Sequence, residues 1–353
     1  MPSPETISLV PWPNPRRRQN PYQTLLYGAL ASHGIRIRRP PPSFAMLPVL
    51  PAADWLHLNW LERIYQDADL RIQEQKLNRM IQTLQRLRRK GTRILHTVHN
   101  LFPHDASDVE FYKAANRRLF ELCDLFHVHA QEAADLLIRD YQLDAGRLVV
   151  MPHGHYGEYY GQRLDRAIAR DRLGIPKDCR ILLNFGNVKR YKGLEDVIEA
   201  LRQCGDDDLR VLVAGKPAGE EMRRYLENAQ RQDSRLILRL GEVKNREVAV
   251  LFSAADAFIF PGRTFFTSGS VMLALTFGLP VIAPPRFHLR DFSDRTFFKS
   301  WQPDAPHEHM SLLEDLPRWL ANVDERDFEW FRETYRWENL TAGLARRLSQ
   351  TRV

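Results

Sequence analysis

Short apolar runs that alternate with helical patterns constrain the fold of this chain more than any other feature. In the second half these runs are RILLNFG, LRVLVAGK, RLILRLGE, DAFIFPG and LPVIAPP. Such nearly continuous runs predict strands covered on both faces, as in a parallel sheet between layers of helices. The first half alternates in the same way, with ISLVPW, IRIRR, WLHLNW, TRILHTVHN, LFHVHA and RLVVMPHG. The sequence therefore predicts an α/β protein with two doubly wound, Rossmann-like sheets.

The length of the chain, 353 residues, exceeds the usual size of one domain and predicts two. The apolar runs divide at a polar, arginine-rich stretch, Tyr156 to Gly174, which we interpret as a linker. We therefore expect a first domain over residues 1–160 and a second over residues 175–325. A tryptophan-containing region, residues 326–353, follows them.

The composition is that of a soluble globular protein, with 44% hydrophobic and 27% charged residues. No apolar run approaches the ~20 residues that a membrane-spanning helix requires. The N-terminal MPSPETISLVPW lacks the apolar core of a signal peptide, so we expect a cytoplasmic protein. The three cysteines, Cys123, Cys179 and Cys204, are expected to be buried thiols, because they lie too far apart for a metal-binding pair.

The stretch FGNVKRYKG, Phe185 to Gly193, lies between an apolar run and the helical pattern LEDVIEALRQC. A strand that ends in such a loop and leads into a helix presents free backbone N–H groups to an anion. Lys189, Arg190 and Lys192 add positive charge beside them. We interpret the stretch as a phosphate-binding loop, and the alternative is an ordinary connection between strand and helix.

A second candidate phosphate-binding element is the helix start in PGRTFFTSGSVMLAL. Hydroxyl groups and free N–H groups at a helix N-terminus can bind the oxygens of a diphosphate. The same hydroxyls can instead cap the helix, and the sequence leaves both roles open. The residues concerned are Thr267, Ser268, Gly269 and Ser270.

Other polar residues follow the predicted strands at their carboxyl ends. Ligands of doubly wound sheets bind beyond these ends, and two such domains that face each other form a cleft there. We therefore assign the following residues to a donor and acceptor cleft: Asn20, Tyr22, Asn100, His153, His155, Tyr156, Gly186 and Lys216.

The segment HTVHNLFPHD contains the candidate acid–base residues. His96 and His99 cannot point the same way in an extended strand, and no cysteine or acidic residue stands at metal-ligand spacing, so we expect no metal site. Asp105, next to His104, could remove a proton from a sugar hydroxyl. Its alternative role is to cap the helix that starts two or three residues later.

The segment from Lys76 to Arg93 contains seven basic residues and no acidic one. Its apolar residues fall at helical spacing, which predicts an amphipathic helix with one basic face. This face is either a solvated surface or a contact site for anionic lipid headgroups. The net charge of +7 also suits nucleic acid, but the sequence contains no nucleic-acid-binding module, so we expect no such partner.

Six segments, taken together and in their order along the chain, indicate a family: NPYQTLLYGAL, WLHLNW, HTVHNLFPHD, HGHYGEYY, FGNVKRYKG and TSGSVMLALTFGLPVIAP. They resemble the GT-B glycosyltransferases, and in particular the bacterial GDP-mannose:glycolipid β-mannosyltransferases of xanthan-type exopolysaccharide assembly (glycosyltransferase family 94). The C-terminal YRWENLTAGL resembles the closing helix of that fold. The resemblance implies two Rossmann-like domains facing a cleft, with helices of residues 326–353 packing back on the first domain.

The chain departs from the large retaining family of the same fold. That family has a basic residue directly after the loop glycine and two glutamates before a GLP turn. Here the corresponding positions hold Asn187, Phe265 and Leu273, whereas Lys192 matches that family's lysine. The β-mannosyltransferase group is similar to this chain in having TSG there and a basic residue at position 189, which argues against a retaining α-transferase.

The resemblance implies an inverting hexosyltransferase that moves mannose from GDP-mannose to a lipid-linked oligosaccharide, without a metal or another cofactor. Asp105 is then the expected catalytic base, with His99 or His104 as the fallback. The basic helix would hold the enzyme peripherally at the inner face of the cell membrane, where such an acceptor is embedded. Two alternatives stay open: a retaining nucleotide-sugar α-glycosyltransferase of the same fold, and a non-catalytic protein that binds a sugar nucleotide or lipid.

Overall fold

The computed structural model describes residues 6–15, 20–103, 108–263 and 265–350, with the backbone only for Tyr191. The chain divides into two compact units: Met1–Gly154 together with Tyr335–Val353, and His155–Thr334. Each unit is built on one six-stranded sheet in which every strand pair is parallel. The prediction of an α/β chain with two Rossmann-like sheets is confirmed.

The sheet of the first unit has the strand order β2-β1-β3-β4-β5-β6. Its strands are β1 (Ser8–Trp12), β2 (Arg36–Ile37), β3 (Trp55–Asn59), β4 (Arg93–Thr97), β5 (Leu125–Val128) and β6 (Leu148–Val150). Its helices are α1 (Tyr22–Ser32), α2 (Glu62–Tyr65), α3 (Leu70–Arg89), α4 (Val109–Phe120) and α5 (Gln131–Tyr141). Strand residues such as Leu9, Leu58 and Val128 are fully buried, as expected for strands that are covered on both faces.

The sheet of the second unit has the order β12-β11-β10-β7-β8-β9. Its strands are β7 (Arg180–Phe185), β8 (Leu209–Gly215), β9 (Leu236–Leu240), β10 (Ala257–Ile259), β11 (Val281–Ala283) and β12 (Phe298–Ser300). Its helices are α6 (Arg166–Leu173), α7 (Leu194–Gln203), α8 (Gly219–Gln232), α9 (Asn245–Ala254), α10 (Gly269–Thr276), α11 (His309–Glu314), α12 (Leu316–Leu320) and α13 (Glu325–Thr334). α7 illustrates how the sequence builds them, because its buried residues recur at helical spacing: Leu194, Val197, Ile198 and Leu201.

The stretch Tyr156–Gly174, interpreted above as a linker, contains helix α6, so the interpretation is wrong for its second half. Asp165 starts this helix by accepting a hydrogen bond from Ile168 N (3.1 Å), and the final glycine ends it in the left-handed conformation. Arg170 is only 3% exposed, since it pairs with Asp256 at 2.6 Å and donates to three backbone carbonyls. Its charge gives the sequence a polar character although the side chain lies in the interior.

The last helix, α14 (Trp337–Gln350), belongs to the first unit although it follows the second unit in sequence. It packs against α1, and Trp337, Leu344 and Leu348 are buried in the core of the first unit. The Trp55 indole N–H donates to Leu348 O at 3.2 Å. The predicted return of a C-terminal helix to the first domain is confirmed for α14, whereas α13 remains in the second unit.

Helix α3 has the amphipathic character predicted for the basic segment. It starts at Asp69, whose carboxylate accepts hydrogen bonds from the N–H groups of Arg71 and Ile72. Arg93, included in that segment, lies instead on β4 with its guanidinium 4.6 Å from the centroid of the Trp55 ring. Within the described parts of the chain, no helix is both long enough and apolar enough to cross a bilayer.

Candidate active site

The basic loop of the second unit follows β7 and is tied to the loop that follows β8. Val188 N donates to Lys216 O, and Ala218 N donates to Val188 O, both at 2.9 Å. Lys189 has an extended backbone, and Arg190–Lys192 form one short 3-10 turn that leads into α7. These hydrogen bonds fix the loop at the carboxyl end of the sheet.

Lys192 differs electrostatically from Arg190 in the same turn. Burial and the nearby charge of Lys189 lower the pKa of Lys192 to about 8. An ammonium group destabilised in this way gains from a bound anion, because the anion restores the preference for the charged form. The exposed guanidinium of Arg190 already pairs with Glu221 at 2.8 Å. Lys192 is therefore the side chain of this loop best suited to a phosphate group.

Helix α10 begins after Ser268, whose side chain does not cap the first turn. The Ser268 hydroxyl lies 3.1 Å from the Ser270 hydroxyl, and Ser268 N donates to His288 Nε2 at 3.4 Å. The Thr267 hydroxyl is buried and has no hydrogen-bond partner among the described residues. Because Ser268 leaves the capping role unfilled, the first-turn N–H groups of α10 are available to an anion.

The basic loop and the segment leading to α10 are in direct contact, since β7 and β10 are neighbours in the sheet. Gly193 has a φ of 69°, and a Cβ there would come within 2.7 Å of Pro261 O. Arg263, in the segment that follows β10, pairs with Asp196 on α7 at 2.6 Å. The second unit therefore brings the half-buried Lys192 and an open helix N-terminus to one edge of its sheet.

A cavity of about 360 Å³ opens at the carboxyl end of β9, and Gly241 N donates to Gly215 O (2.9 Å) between the loops that follow β9 and β8. Apolar side chains, acidic side chains and the basic Arg239 line it together. The lining includes Leu240, Glu242, Val243, Glu247 and Leu251. A nucleobase offers both apolar faces and hydrogen-bond donors, so this lining is chemically compatible with one.

In the first unit, aromatic rings gather at the carboxyl ends of β3 to β6. His99 stacks on Trp60 with ring centroids 4.3 Å apart and planes 8° apart. Tyr22, at the start of α1, lies edge-on to His99 at 5.0 Å and contacts His153 at 5.0 Å and Trp337 at 5.4 Å. The predicted residues Tyr22, His99 and His153 thus form one cluster, which Trp60 and Trp337 extend.

Five buried histidines of this unit, His57, His96, His99, His127 and His153, are neutral at physiological pH. Burial lowers the pKa of His96, His127 and His153 to about 4 in each case. Burial and neighbouring histidines hold the pKa of His57 and His99 well below the ordinary value. A neutral imidazole carries a lone pair on one ring nitrogen, so each ring can accept a hydrogen bond or a proton.

The remaining predicted cleft residues do not form one cluster. Asn20 accepts a hydrogen bond from Tyr22 N (3.0 Å), and Asn100 is half-buried just beyond His99. His155 and Tyr156 form a local turn in the second unit, where Tyr156 N donates to Thr276 Oγ1 (3.0 Å) at the C-terminal end of α10. That end is the one opposite Ser268–Ser270. The structure therefore separates Tyr156 from Ser268–Ser270, the candidate phosphate-binding residues at the start of that helix.

His104 and Asp105 lie outside the described residues. Asp108 is the N-cap of α4, since its carboxylate accepts a hydrogen bond from Phe111 N at 2.9 Å. The capping role considered above for Asp105 is therefore filled by Asp108. Among the described residues no group of three histidine, cysteine or acidic side chains is placed to hold a metal ion.

Sequence reasoning missed several residues of these sites, namely Tyr27, His57, Asn59, Trp60, Thr97, His127, His129 and His288. A signal for some of them was present. WLHLNW and LFHVHA place polar residues at alternate positions within an apolar strand, and TRILHTVHN places Thr97 and His99 in the same way. Alternation in a buried strand directs such residues to one face, where they require partners from neighbouring strands.

Profiles of two glycosyltransferase families match the chain. The profile described as Glycosyltransferase Family 4 matches residues 9–155, and the profile described as Glycosyl transferases group 1 matches residues 165–322. The first match falls on the first unit and the second match on the second unit.

Relatives of known activity are also similar to the chain. A GDP-mannose:glycolipid 4-beta-D-mannosyltransferase of Xanthomonas campestris pv. campestris is 28% identical over 289 residues, which cover 80% of this chain and 74% of that protein. A D-inositol 3-phosphate glycosyltransferase of Corynebacterium glutamicum is 27% identical over 208 residues, covering 54% of this chain and 50% of the relative. The first similarity agrees with the resemblance drawn from the sequence motifs.

Solved glycosyltransferase structures share the fold. Sucrose-phosphate synthase from Thermosynechococcus elongatus aligns with a TM-score of 0.74 at 18% identity, covering 98% of each chain. WaaG, a glycosyltransferase involved in lipopolysaccharide biosynthesis, aligns with a TM-score of 0.68 at 16% identity, covering 97% of this chain and 99% of WaaG. Together with the family matches and the two parallel sheets, these similarities identify the chain as a member of the GT-B glycosyltransferases.

Proposed function

We propose that this glycosyltransferase moves mannose from GDP-mannose to a lipid-linked oligosaccharide, with inversion at the anomeric carbon, as a step of exopolysaccharide biosynthesis. The observation that carries the proposal is the contact between the basic loop and the segment leading to α10. The proposed donor and acceptor follow from the Xanthomonas relative, whose name specifies both GDP-mannose and a glycolipid.

The donor-side chemistry is the neutralisation of a leaving diphosphate. As the bond between the sugar and the diphosphate breaks, negative charge grows on the β-phosphate, and positive groups that are already in place stabilise it. Lys192, with Lys189 beside it, supplies cationic charge, and the first turn of α10 supplies N–H groups. Protein groups therefore supply the required charge in our proposal, which includes no metal.

The base of the donor is assigned to the cavity at the end of β9. The guanine edge presents N–H donors, and Glu242 is an exposed carboxylate in the lining of this cavity. Val243 and Leu251 supply apolar contact for the ring faces. A guanine-containing donor suits this combination of one acceptor edge and two apolar walls.

Inversion is supported by two apolar residues on the donor side. Phe265 is buried against Phe260, with ring centroids 4.9 Å apart, and Leu273 is buried on α10. These are the positions at which the retaining family of this fold carries glutamates. Without those carboxylates, the reaction that remains is a single displacement assisted by a base on the acceptor side.

In that displacement the acceptor oxygen attacks the anomeric carbon from the face opposite the diphosphate. The new C–O bond forms as the old one breaks, its electron pair stays on the diphosphate, and the hydroxyl proton passes to a base. Asp105 remains the predicted base. His99, a neutral imidazole at the carboxyl end of β4, is the alternative within the described residues.

Membrane association is assigned to one surface of the first unit. Arg79, Arg86 and Arg89 are exposed residues of α3. They lie on one side of the helix, because residues seven and ten positions apart share a helix face. The 3-10 segment Phe44–Val49 packs against α3 and exposes Met46 (46%) and Val49 (80%). We define these five residues as the membrane patch. Exposed arginines on α3, together with exposed apolar side chains on a segment packed against α3, suit an anionic lipid surface.

A donor panel tests the proposed activity. Purified protein is incubated with each of several nucleoside diphosphate sugars and a bacterial glycolipid extract, and release of the nucleoside diphosphate is measured. GDP-mannose is expected to give the highest rate, and the anomeric proton of the product is expected to show the β configuration by NMR. An α product would establish the retaining alternative. Donor binding without release from any sugar nucleotide would establish the non-catalytic alternative.

A further inference from the structure

A continuous series of buried hydrogen bonds crosses the sheet of the first unit from β5 to the loop after β4. Asn59 is registered with Thr97, and Thr97 with His127, so these side chains lie on one face of the sheet. His57 shares that face with Asn59 because the two are separated by one residue. We call the series the polar chain, and its members are His127, Thr97, His57, Tyr27, Asn59 and His99, each at most 5% exposed.

The distances in the polar chain are those of ordinary hydrogen bonds. From the β5 side, His127 Nε2 lies 2.9 Å from Met151 O, and His127 Nδ1 lies 2.9 Å from Thr97 Oγ1. Thr97 Oγ1 lies 2.7 Å from His57 Nε2, and His57 Nδ1 lies 3.0 Å from the Tyr27 hydroxyl. The series ends with two contacts of the Asn59 amide. Its Nδ2 lies 3.1 Å from the Tyr27 hydroxyl, and its Oδ1 lies 2.8 Å from His99 Nε2.

One end of the polar chain fixes the direction of the hydrogen bonds. Met151 O is a backbone carbonyl and can only accept, so His127 Nε2 carries a hydrogen and His127 Nδ1 carries the lone pair. The Thr97 hydroxyl then donates to His127 and accepts from His57 Nε2. His57 Nδ1 is therefore an acceptor, and the Tyr27 hydroxyl donates to it.

The direction continues to the end of the polar chain. Since the Tyr27 hydroxyl uses its only hydrogen on His57, it accepts from Asn59 Nδ2. Asn59 Oδ1 then faces His99 Nε2, which must donate. The reverse direction would set the lone pair of His127 against the lone pairs of Met151 O inside the protein, and two buried acceptors facing each other cost free energy.

We propose that the polar chain fixes His99 in the tautomer that carries its hydrogen on Nε2, so that Nδ1 presents its lone pair to a hydroxyl of the acceptor sugar. Thr97, His57, Tyr27 and Asn59 are then positioning residues for His99. The proposal rests on the proposed function in taking the ligand of this site to be a sugar. Stacking on Trp60 fixes the plane of the same ring.

Two observations show that Nδ1 carries a lone pair that no described residue uses. The described residues form no hydrogen bond with His99 Nδ1, whereas Nε2 is fully engaged with Asn59. The burial that holds the pKa of His99 well below the ordinary value also keeps the ring neutral. A neutral ring with a fixed hydrogen is an acceptor on one side only.

The tautomer is measured directly by long-range ¹H–¹⁵N correlation spectra of the full-length protein with ¹⁵N-labelled histidine, without substrate. Loss of signals in His99→Gln assigns the His99 ring. The expected spectrum shows His99, His57 and His127 in the Nε2-protonated form at neutral pH. A spectrum in which His99 carries its hydrogen on Nδ1 overturns the proposal.

Thr97→Val tests whether the polar chain imposes this state, with Thr97→Ser as the matched control that keeps the hydroxyl. Valine has the shape of threonine but lacks the hydroxyl, so the hydrogen bonds from His57 to His99 are free to reverse their direction. The ¹⁵N chemical shifts of His99 should then move toward those of a mixture of both tautomers. Thr97→Ser should keep the wild-type shifts. Tyr27→Phe breaks the chain at a second point and should act like Thr97→Val. Unchanged His99 shifts in both Thr97→Val and Tyr27→Phe would refute the control of His99 by the chain.

Measurements of kcat and KM distinguish a failure of this inference from a failure of the proposed function. If His99 Nδ1 contacts the acceptor hydroxyl, kcat in Thr97→Val should fall in proportion to the fraction of the wrong tautomer, while KM for the donor stays the same. A shifted tautomer with unchanged kcat would support the polar chain and reject the role of His99 in the reaction.

Discussion

The indole of Trp337 lies so close to Gly154 that a Cβ on the glycine would come within 2.6 Å of two ring carbons. This contact brings the first residue of α14 onto the segment that follows β6. Trp337 also contacts Tyr22 and His153, which belong to the candidate acceptor site. The C-terminal helix is therefore part of the wall of that site as well as part of the core.

Gly154→Ala is expected to destabilise the protein by about 1–3 kcal/mol, the usual cost of inserting a methyl group into a packed interior. Chemical denaturation measures the difference in free energy of unfolding. Gly343→Ala is the matched control, because Gly343 lies within α14 and a Cβ there meets no atom within 4 Å. Equal stability of the two variants would contradict the close contact.

Lys192→Met is expected to weaken GDP binding by about 10- to 100-fold, since a lost hydrogen bond to a charged group costs about 1.5–3 kcal/mol. Isothermal titration calorimetry measures the dissociation constant. Arg190→Met, which removes a guanidinium already paired with Glu221, should change it by less than about threefold. If both variants bind GDP as the wild type does, the diphosphate lies elsewhere.

The affinity for GDP should also fall as pH rises above about 8. Lys192 has a pKa of about 8 in the free protein, and a bound diphosphate favours its protonated form, so binding takes up protons near that pH. Calorimetry at pH 8 in buffers of different ionisation enthalpy should detect this uptake. The uptake and the pH dependence should both be absent from Lys192→Met.

Substitutions at the two candidate bases should distinguish their roles. Asp105→Asn is expected to lower kcat by about 100-fold or more if this carboxylate is the base, because general base catalysis contributes about 10²–10⁴-fold. His99→Gln should produce the larger loss if the imidazole accepts the proton. GDP affinity is the control, since donor binding is assigned to the second unit and should not change in either variant. Full activity of both variants would exclude both residues.

The stability of the protein should fall as pH is lowered from about 6.5 toward about 4. The pKa of His96, His127 and His153 is about 4 in the folded state, whereas unfolded histidines titrate near the ordinary value of about 6.5. Between these values the unfolded chain binds more protons, so each histidine removes up to about 1.4 kcal/mol per pH unit. Urea unfolding at pH 7.5, 6 and 5 tests this, and a constant free energy of unfolding would contradict it.

Replacement of Arg79, Arg86 and Arg89 by glutamine should release the protein from vesicles that contain anionic lipid, because each basic residue near such a surface contributes about 1 kcal/mol. A matched triple variant at the exposed Arg224, Arg231 and Arg246 of the second unit changes the net charge equally and should leave binding intact. Vesicle co-sedimentation measures the bound fraction. Equal loss in both triple variants would indicate an effect of net charge alone.

Val49→Asp tests the apolar part of the membrane patch separately. Val49 is 80% exposed, so the substitution should leave the fold unchanged while opposing insertion into the lipid surface. We expect weaker binding even at low salt, where the arginines are most effective. Unchanged vesicle binding would restrict the contact to the basic residues.

The positions of most strands along the chain could be predicted from sequence because each is a short apolar run, nearly continuous in the second half. β12 is an exception, since three residues leave too short a pattern, and α6 was hidden by the buried Arg170. The basic loop and the start of α10 could also be located, because both follow apolar runs directly. Their contact could not be predicted, since it depends on β7 and β10 being neighbours in the sheet although two strands and three helices separate them along the chain.

The polar chain illustrates a second limit of the sequence. Its residues come from three strands, one helix and one loop, and the register of Asn59, Thr97 and His127 brings the strands' side chains within hydrogen-bond distance. A histidine in an apolar strand indicates that a buried ring needs hydrogen-bond partners, but the sequence does not show which residues those partners are.

The position of α14 in the first unit has a consequence for biosynthesis. Trp337, Leu344 and Leu348 complete the core of that unit, yet they follow the whole second unit in sequence and are translated after it. Residues 155–334 are available as an uninterrupted block and can acquire their native structure on the ribosome. The first unit can therefore complete its core only after the second unit has been translated, and nascent chains stopped before residue 337 should expose the vacant surface of α1 to chaperones.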